Sequence, residues 1–201
     1  MMTNTVEVRA DQMANSAQAR TVSRADLVYP LEVDPPTLDI NRAGDTTSHM
    51  VLGQLMEGLY RYRPDGTIEP AGATDYTVSP DGLVYTVTLR TDALWSDGQP
   101  VTAQHYKDSI VRLLDPDTGA GNAFMMYPIA GAEEFNTGVI TDPNAVGVTA
   151  VDTYTLLFTL EEAAGFFPDI LATTAAYPGR LDIIQSDPNW TEPGHFVGNG
   201  P

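Results

Sequence analysis

The stretch PDGLVYTVTLRTDALWSDGQPVTAQHY, Pro80 to Tyr106, holds a turn, a strand, a second turn and the start of a helix in that order. Pro80 suits the second position of a type I turn, and Gly82 suits the left-handed residue after it. Tyr85, Val87 and Leu89 then alternate with Thr86, Thr88 and Arg90, the two-residue period of a half-buried strand. Upstream, DYTV is the other limb of the same hairpin. Downstream, Thr102 is the expected N-cap of a helix with Ala103, Tyr106, Ile110 and Leu113 on one face. Trp95, between strand and helix, is expected to be a packing anchor.

The same patterns continue outward. VGVTAVDTYTLLFTL is a second hairpin, with Tyr154, Leu156, Phe158 and Leu160 alternating against Thr155, Leu157 and Thr159. TTSHMVLGQLMEGLY predicts a helix capped by Thr47 or Ser48 and stopped at Gly58, with Val51, Leu55 and Leu59 on its apolar stripe. LYRY, a turn at Arg63–Gly66 and a short strand near Ile68 follow. EEAAGFFPDILAT predicts a short helix interrupted at Pro168, and Leu27–Tyr29 a first strand. The tail of the sequence is loop-rich, and Asn199-Gly200-Pro201 has turn composition. Irregularly alternating helices and hairpins make this a mixed α/β (α+β) sheet protein, not a parallel winding.

Composition bounds the function. Ten Lys and Arg against 27 Asp and Glu give a net charge of −17, which opposes binding of a phosphate backbone, so no nucleic-acid partner is expected. The absence of cysteine excludes disulfides, thiol catalysis and Cys-ligated metal. No apolar run has the length of a membrane-spanning helix. Residues 1–22 show neither period and are expected to be a flexible tail, with a short docked arm as the alternative; no signal peptide is visible in them.

Catalytic signals are weak throughout. His49, His105 and His195 lack metal-ligand spacing, so no metal or other cofactor is expected. GNGP and GAGNA match neither phosphate-loop pattern. Glu133-Glu134 and Glu161-Glu162 are adjacent pairs, and neighbours on a helix do not face each other, so they are expected to be solvated surface. Phe124, Met125, Met126 and Tyr127 form a soft apolar cluster that suits either a core flap or a pocket wall.

The order of segments resembles the family 5 extracellular solute-binding proteins, the peptide- and nickel-type binding components of ABC importers. TLDINRAGDTTSHMVLGQLMEGLY corresponds to the family's LDP segment, loop and helix ending EGL, with Ile40 in place of proline. Arg90, Asp92, Trp95, Asp97, Gly98, Pro100, Val101 and Ala103 fit its W-S-D-G-x-P-V-T-A-x-D signature. His105 stands where Asp is usual, and a weaker helix cap is expected there. The likeness runs from about residue 25 to 201.

The resemblance implies a lobe of periplasmic-binding-protein type II. Residues 23–201 would be the N-terminal portion of that lobe, including its accessory subdomain, with a second lobe absent. It implies a non-enzymatic monomer that closes around a peptide or other small molecule and delivers it to an ABC permease. Its location would be periplasmic or extracellular, with a lipoprotein anchor as one form. It places Gly44, Asp45 and Thr46 where relatives offer main-chain groups to a peptide, and Asn122 on a loop near the cleft where some relatives have Tyr; Tyr127 is a candidate substitute. GNGP would precede a strand leading to the other lobe, so the stop at Pro201 is expected to be a truncation. Rival readings are another cargo (nickel chelate, sugar or opine), a receptor module on the same lobe, and a carboxylate-dependent hydrolase.

Overall fold

The computed structural model describes residues 5–8, 27–31 and 33–200. Its centre is an antiparallel four-stranded sheet in the order β5-β6-β8-β7. Here β5 is Ala73–Val78, β6 Val84–Leu89, β7 Val148–Asp152 and β8 Thr155–Thr159. The β5–β6 turn is as expected: Gly82 has φ +76°, and its N–H closes on Ser79 C=O at 2.9 Å. Pairing Tyr85 with Phe158 and Val87 with Leu156 puts the apolar alternation of both middle strands on one face. All four of these side chains are buried.

Helix α2, Ala103–Leu114, lies across β7 and β8. It buries Tyr106, Ile110, Leu113 and Leu114 on the sheet side. Full burial of each such side chain is worth about 1.5–3 kcal/mol. Strands β1, Thr5–Val8, and β2, Leu27–Pro30, form an antiparallel pair, as do β3, Tyr60–Tyr62, and β4, Ile68–Pro70. Helix α1 is Thr46–Leu55, α3 Ala132–Asn136, α4 Phe167–Ile170 and α5 Leu181–Ser186.

Three expectations are corrected. The cap of α1 is Asp45, not Thr47 or Ser48: its carboxylate accepts the Ser48 N–H at 2.9 Å. Pro168 stands in the first turn of α4 and does not interrupt it, because proline lacks only an N–H that the first turn leaves unpaired anyway. The segment after Pro178 is less loop-like than its composition, since α5 forms within it. Of the tail expected over residues 1–22, only Thr5–Val8 fall among the described residues, where they pair with β2; the rest of it, and Pro201, lie outside them.

Candidate functional site

The loop before α1 is fastened at Asp39, Asn41, Arg42 and Ala43. The Asp39 carbonyl accepts the Arg42 and Ala43 N–H groups at 3.0 and 2.8 Å. The Asp39 carboxylate accepts the Asn41 N–H at 3.0 Å. Arg112, from α2, then takes both carboxylate oxygens at 2.7 and 2.6 Å. The same guanidinium donates to Asn41 Oδ1 at 2.7 Å. The Asn41 amide donates to the carbonyl and hydroxyl of Ser109 at 3.2 and 3.1 Å. Asp39 and Asn41 are buried. A carboxylate tolerates burial when a bidentate partner and further hydrogen bonds satisfy it.

This anchoring carries the predicted residues. The Ala43 carbonyl accepts Asn122 Nδ2 at 3.2 Å and meets His49 Nε2 at 3.1 Å. A carbonyl can only accept, so His49 carries its proton on Nε2. A Cβ on Gly44 would sit 3.8 Å from Asn122 Oδ1. Gly44, Asp45, Thr46 and Asn122 are therefore brought together by folding. Gly44 and Thr46 are exposed. Among the described residues, neither the N–H nor the C=O of Gly44 has a hydrogen-bond partner. The Asp45 side chain is occupied by its capping bond, which holds its carboxyl below the ordinary range.

Tyr127 takes a different direction. It is half-buried, and its hydroxyl donates to Asn136 Oδ1 at 2.7 Å. Asn136 in turn donates to the Leu114 carbonyl at 2.8 Å, closing α3 onto α2. Of the apolar cluster, Met126 is buried in the core and Phe124 is exposed. Arg112 was missed by sequence reasoning. Its only signal was a basic residue on an otherwise half-apolar helix, with nothing to show that its partner lay 73 positions away.

The second fastened region joins Trp95, His105 and Arg180. Trp95 is buried, as expected of an anchor. Its Nε1–H donates to His105 Nδ1 at 3.1 Å, and Arg180 lies over its ring at 5.9 Å. His105 Nδ1 also accepts the Thr102 N–H at 3.1 Å. The first turn of α2 carries no acidic residue, as expected, yet the capping contact is kept: histidine reaches back to the N-cap by a ring nitrogen. Burial lowers the His105 pKa, with the nearby Arg180 charge second. Neutral His105 can accept at Nδ1; its protonated form cannot.

Residues 198–200 do not form the free turn their composition suggests. The Gly198 carbonyl accepts the Ser96 N–H at 2.8 Å, and the Gly200 N–H donates to Leu55 C=O at 3.0 Å. Asn199 uses its side-chain amide as a strand uses its backbone, pairing with Glu57 N–H and C=O at 3.0 and 2.8 Å. A Cβ at Gly198 would overlap the Leu55 carbonyl oxygen, which explains glycine at that position. The paired carboxylates do not converge on a reactive centre. Glu161 accepts the Gly131 N–H at 2.8 Å, while Glu133 and Glu134 occupy the exposed first turn of α3.

Sheet, crossing helix and loop have the fold of part of a type II periplasmic binding protein. The chain belongs to the bacterial extracellular solute-binding proteins of family 5: the model described as "Bacterial extracellular solute-binding proteins, family 5 Middle" matches residues 67–201. These are non-enzymatic transport components, so the hydrolase reading is set aside. The chain is 35% identical to the dipeptide-binding protein DppE of Bacillus subtilis, over 100% of this chain and 37% of that protein. It superposes on the Escherichia coli murein tripeptide binding protein MppA with a TM-score of 0.81 and 35% identity, covering 85% of this chain and 33% of the other. For Listeria monocytogenes OppA bound to peptide the TM-score is 0.79 at 32% identity, with coverages of 83% and 33%. The chain thus spans about a third of the length of these relatives.

Proposed function

We propose that this chain is part of the substrate-binding component of an ABC importer for peptides, working in the periplasm or outside the cell. In this reading the main-chain groups of Gly44, Asp45 and Thr46, bordered by Asn122, meet the backbone of a di- or oligopeptide. A second lobe completes the cleft, and the loaded protein hands its cargo to a membrane permease. The observation that carries the reading is Gly44: it is exposed, and among the described residues its peptide groups have no partner, on a loop tied down just before it at Asp39, Asn41, Arg42 and Ala43. Main-chain recognition of this kind binds peptides without reading their side chains. The names of the similar proteins, which specify dipeptide, murein tripeptide and peptide-bound forms, support the cargo class.

The test is an amide-resolved NMR titration of the chain with a mixture of di-, tri- and pentapeptides. Saturable shifts confined to residues 43–47 and Asn122, with weak affinity, are expected. Tight binding by this chain alone would overturn the need for a second lobe. Shifts elsewhere, or none at millimolar peptide, would overturn the site. Shifts at the site produced by a nickel chelate, sugar or opine, and not by peptides, would reassign the cargo.

A further inference from the structure

The binding loop lies outside secondary structure, so something must give it one shape. Asn122 and His49 reach the Ala43 carbonyl and Ser109 meets Asn41, but the side chain that joins Asp39 to Asn41 is Arg112. Arg112 meets Asp39 Oδ1 and Oδ2 and also Asn41 Oδ1, at 2.6–2.7 Å. Both residues are engaged a second time. Asp39 Oδ1 holds the Asn41 N–H, and Asn41 Nδ2 reaches back to Ser109, one turn before Arg112 on α2. The guanidinium therefore closes two rings through the same helix. On its open side it faces the Trp190 indole at 6.0 Å, and Trp190 stacks on Phe196 with centroids 6.1 Å apart. The planar fork is thus gripped by oxygen acceptors and by an aromatic face, a geometry that lysine cannot reproduce.

The same contacts reach the other end of α1. Phe196 leads directly into Gly198–Gly200, which is bonded to Leu55 and Glu57 at the helix C-terminus. The helix that begins at the binding loop is held at its start through Arg112 and at its end through the 198–200 segment.

We infer that Arg112 is the positioning residue for ligand capture: acting through Asp39 and Asn41, it sets the Gly44–Thr46 backbone in its receiving shape. The inference rests on the functional reading above only for the word ligand. The positioning itself is measurable without one.

The experiment is amide hydrogen exchange on the unliganded chain, comparing wild type, Arg112→Lys and Arg180→Lys. Arg180→Lys is the control, because it disturbs an ion-pair cluster of similar size that leads to Asp97 and Asp182. Arg112→Lys should raise exchange at the hydrogen-bonded amides of residues 41–43 about tenfold or more and leave β6 and β8 at wild-type rates, while Arg180→Lys leaves residues 41–43 unchanged. Asp39→Asn, which keeps Arg112 but removes the charge it grips, should reproduce the Arg112→Lys pattern; it is the fallback if Arg112→Lys does not fold. Unchanged loop exchange would overturn the inference. So would a rise shared equally by loop and sheet, since that marks a merely structural role. In the peptide titration, Arg112→Lys should weaken site binding about tenfold relative to wild type, and equal affinity would overturn the inference. A wild-type chain that ignores peptides would sink the functional reading and leave the exchange result standing.

Discussion

His105 should make stability depend on pH in a window where no carboxylate is expected to do so. Its Nδ1 accepts from Thr102 N–H and Trp95 Nε1–H, both at 3.1 Å, and lies 3.2 Å from the Thr102 hydroxyl. A proton on Nδ1 would set N–H against N–H. Burial is the largest influence on the ring and the Arg180 charge acts with it, while Asp182, Asp108 and Asp97 favour protonation; the net effect takes the pKa below its ordinary 6.5. In the unfolded chain the ring protonates near that ordinary value. Between the two values the unfolded state binds the extra proton, so stability is complete above about pH 6.5 and is lost as pH falls through the window. One proton allows at most about 1.4 kcal/mol per pH unit. At pH 5.5 the loss is therefore up to about 1.4 kcal/mol, or roughly 3–6 °C in melting temperature for a domain of this size. The assay compares thermal melts of wild type and His105→Asn between pH 7.5 and 5.5. Asparagine can accept the Thr102 N–H and does not titrate. At pH 7.5 the variant should be less stable by about 1–3 kcal/mol, because the buried Trp95 N–H loses its partner. That gap should narrow by roughly 3–6 °C at pH 5.5. Carboxylates contribute equally to both proteins and cancel in the difference. Parallel melting curves across the range would refute the assignment of Nδ1 as acceptor.

Two other substitutions probe the packing. The Tyr106 hydroxyl is fully buried with no hydrogen-bond partner among the described residues, so Tyr106→Phe should be neutral or stabilising by about 1–2 kcal/mol in chemical denaturation; a clear loss would mean that the hydroxyl is satisfied. Gly198→Ala should release the 198–200 segment without unfolding the body, because its four hydrogen bonds, about 1 kcal/mol each, are nearly offset by the entropy of three freed residues. Exchange of the Glu57 and Ser96 amides should rise sharply while the melting temperature moves by only a few degrees, and protected Glu57 would contradict the fastening.

The elements legible in the sequence are those whose signal is local. Tyr85, Val87 and Leu89 advertise β6, Leu156 and Phe158 advertise β8, and Tyr106, Ile110 and Leu113 advertise α2, because burial of one face imposes its period on neighbouring positions. Gly82 marks its turn for the same reason: only the adjoining residues decide whether φ must be positive. The cap of α1 was misplaced by two or three positions, which is the scale on which several adjacent cap-forming side chains compete. The failure at Pro168 is also local, since one residue can end a helix or open one and composition does not distinguish them.

What stayed hidden depends on side chains whose partners are distant in the chain. Asp39 meets Arg112 across 73 positions, and Asn199 meets Glu57 across 142. No period links such residues, and each has an ordinary solvent-facing alternative. His105 shows the limit most clearly. By type it was a lost carboxylate at a helix start; by position its ring nitrogen satisfies both the N-cap and a buried indole. Asn199 follows the same logic: its amide supplies the donor and acceptor of a strand without any strand, so turn-forming composition and a docked segment coexist. Proximity of Gly44 and Asn122 was likewise implied only by family resemblance, and folding brings them together through the Ala43 carbonyl. The chemistry of this lobe therefore lies in a few long-range polar contacts laid over a core that local patterning already specifies.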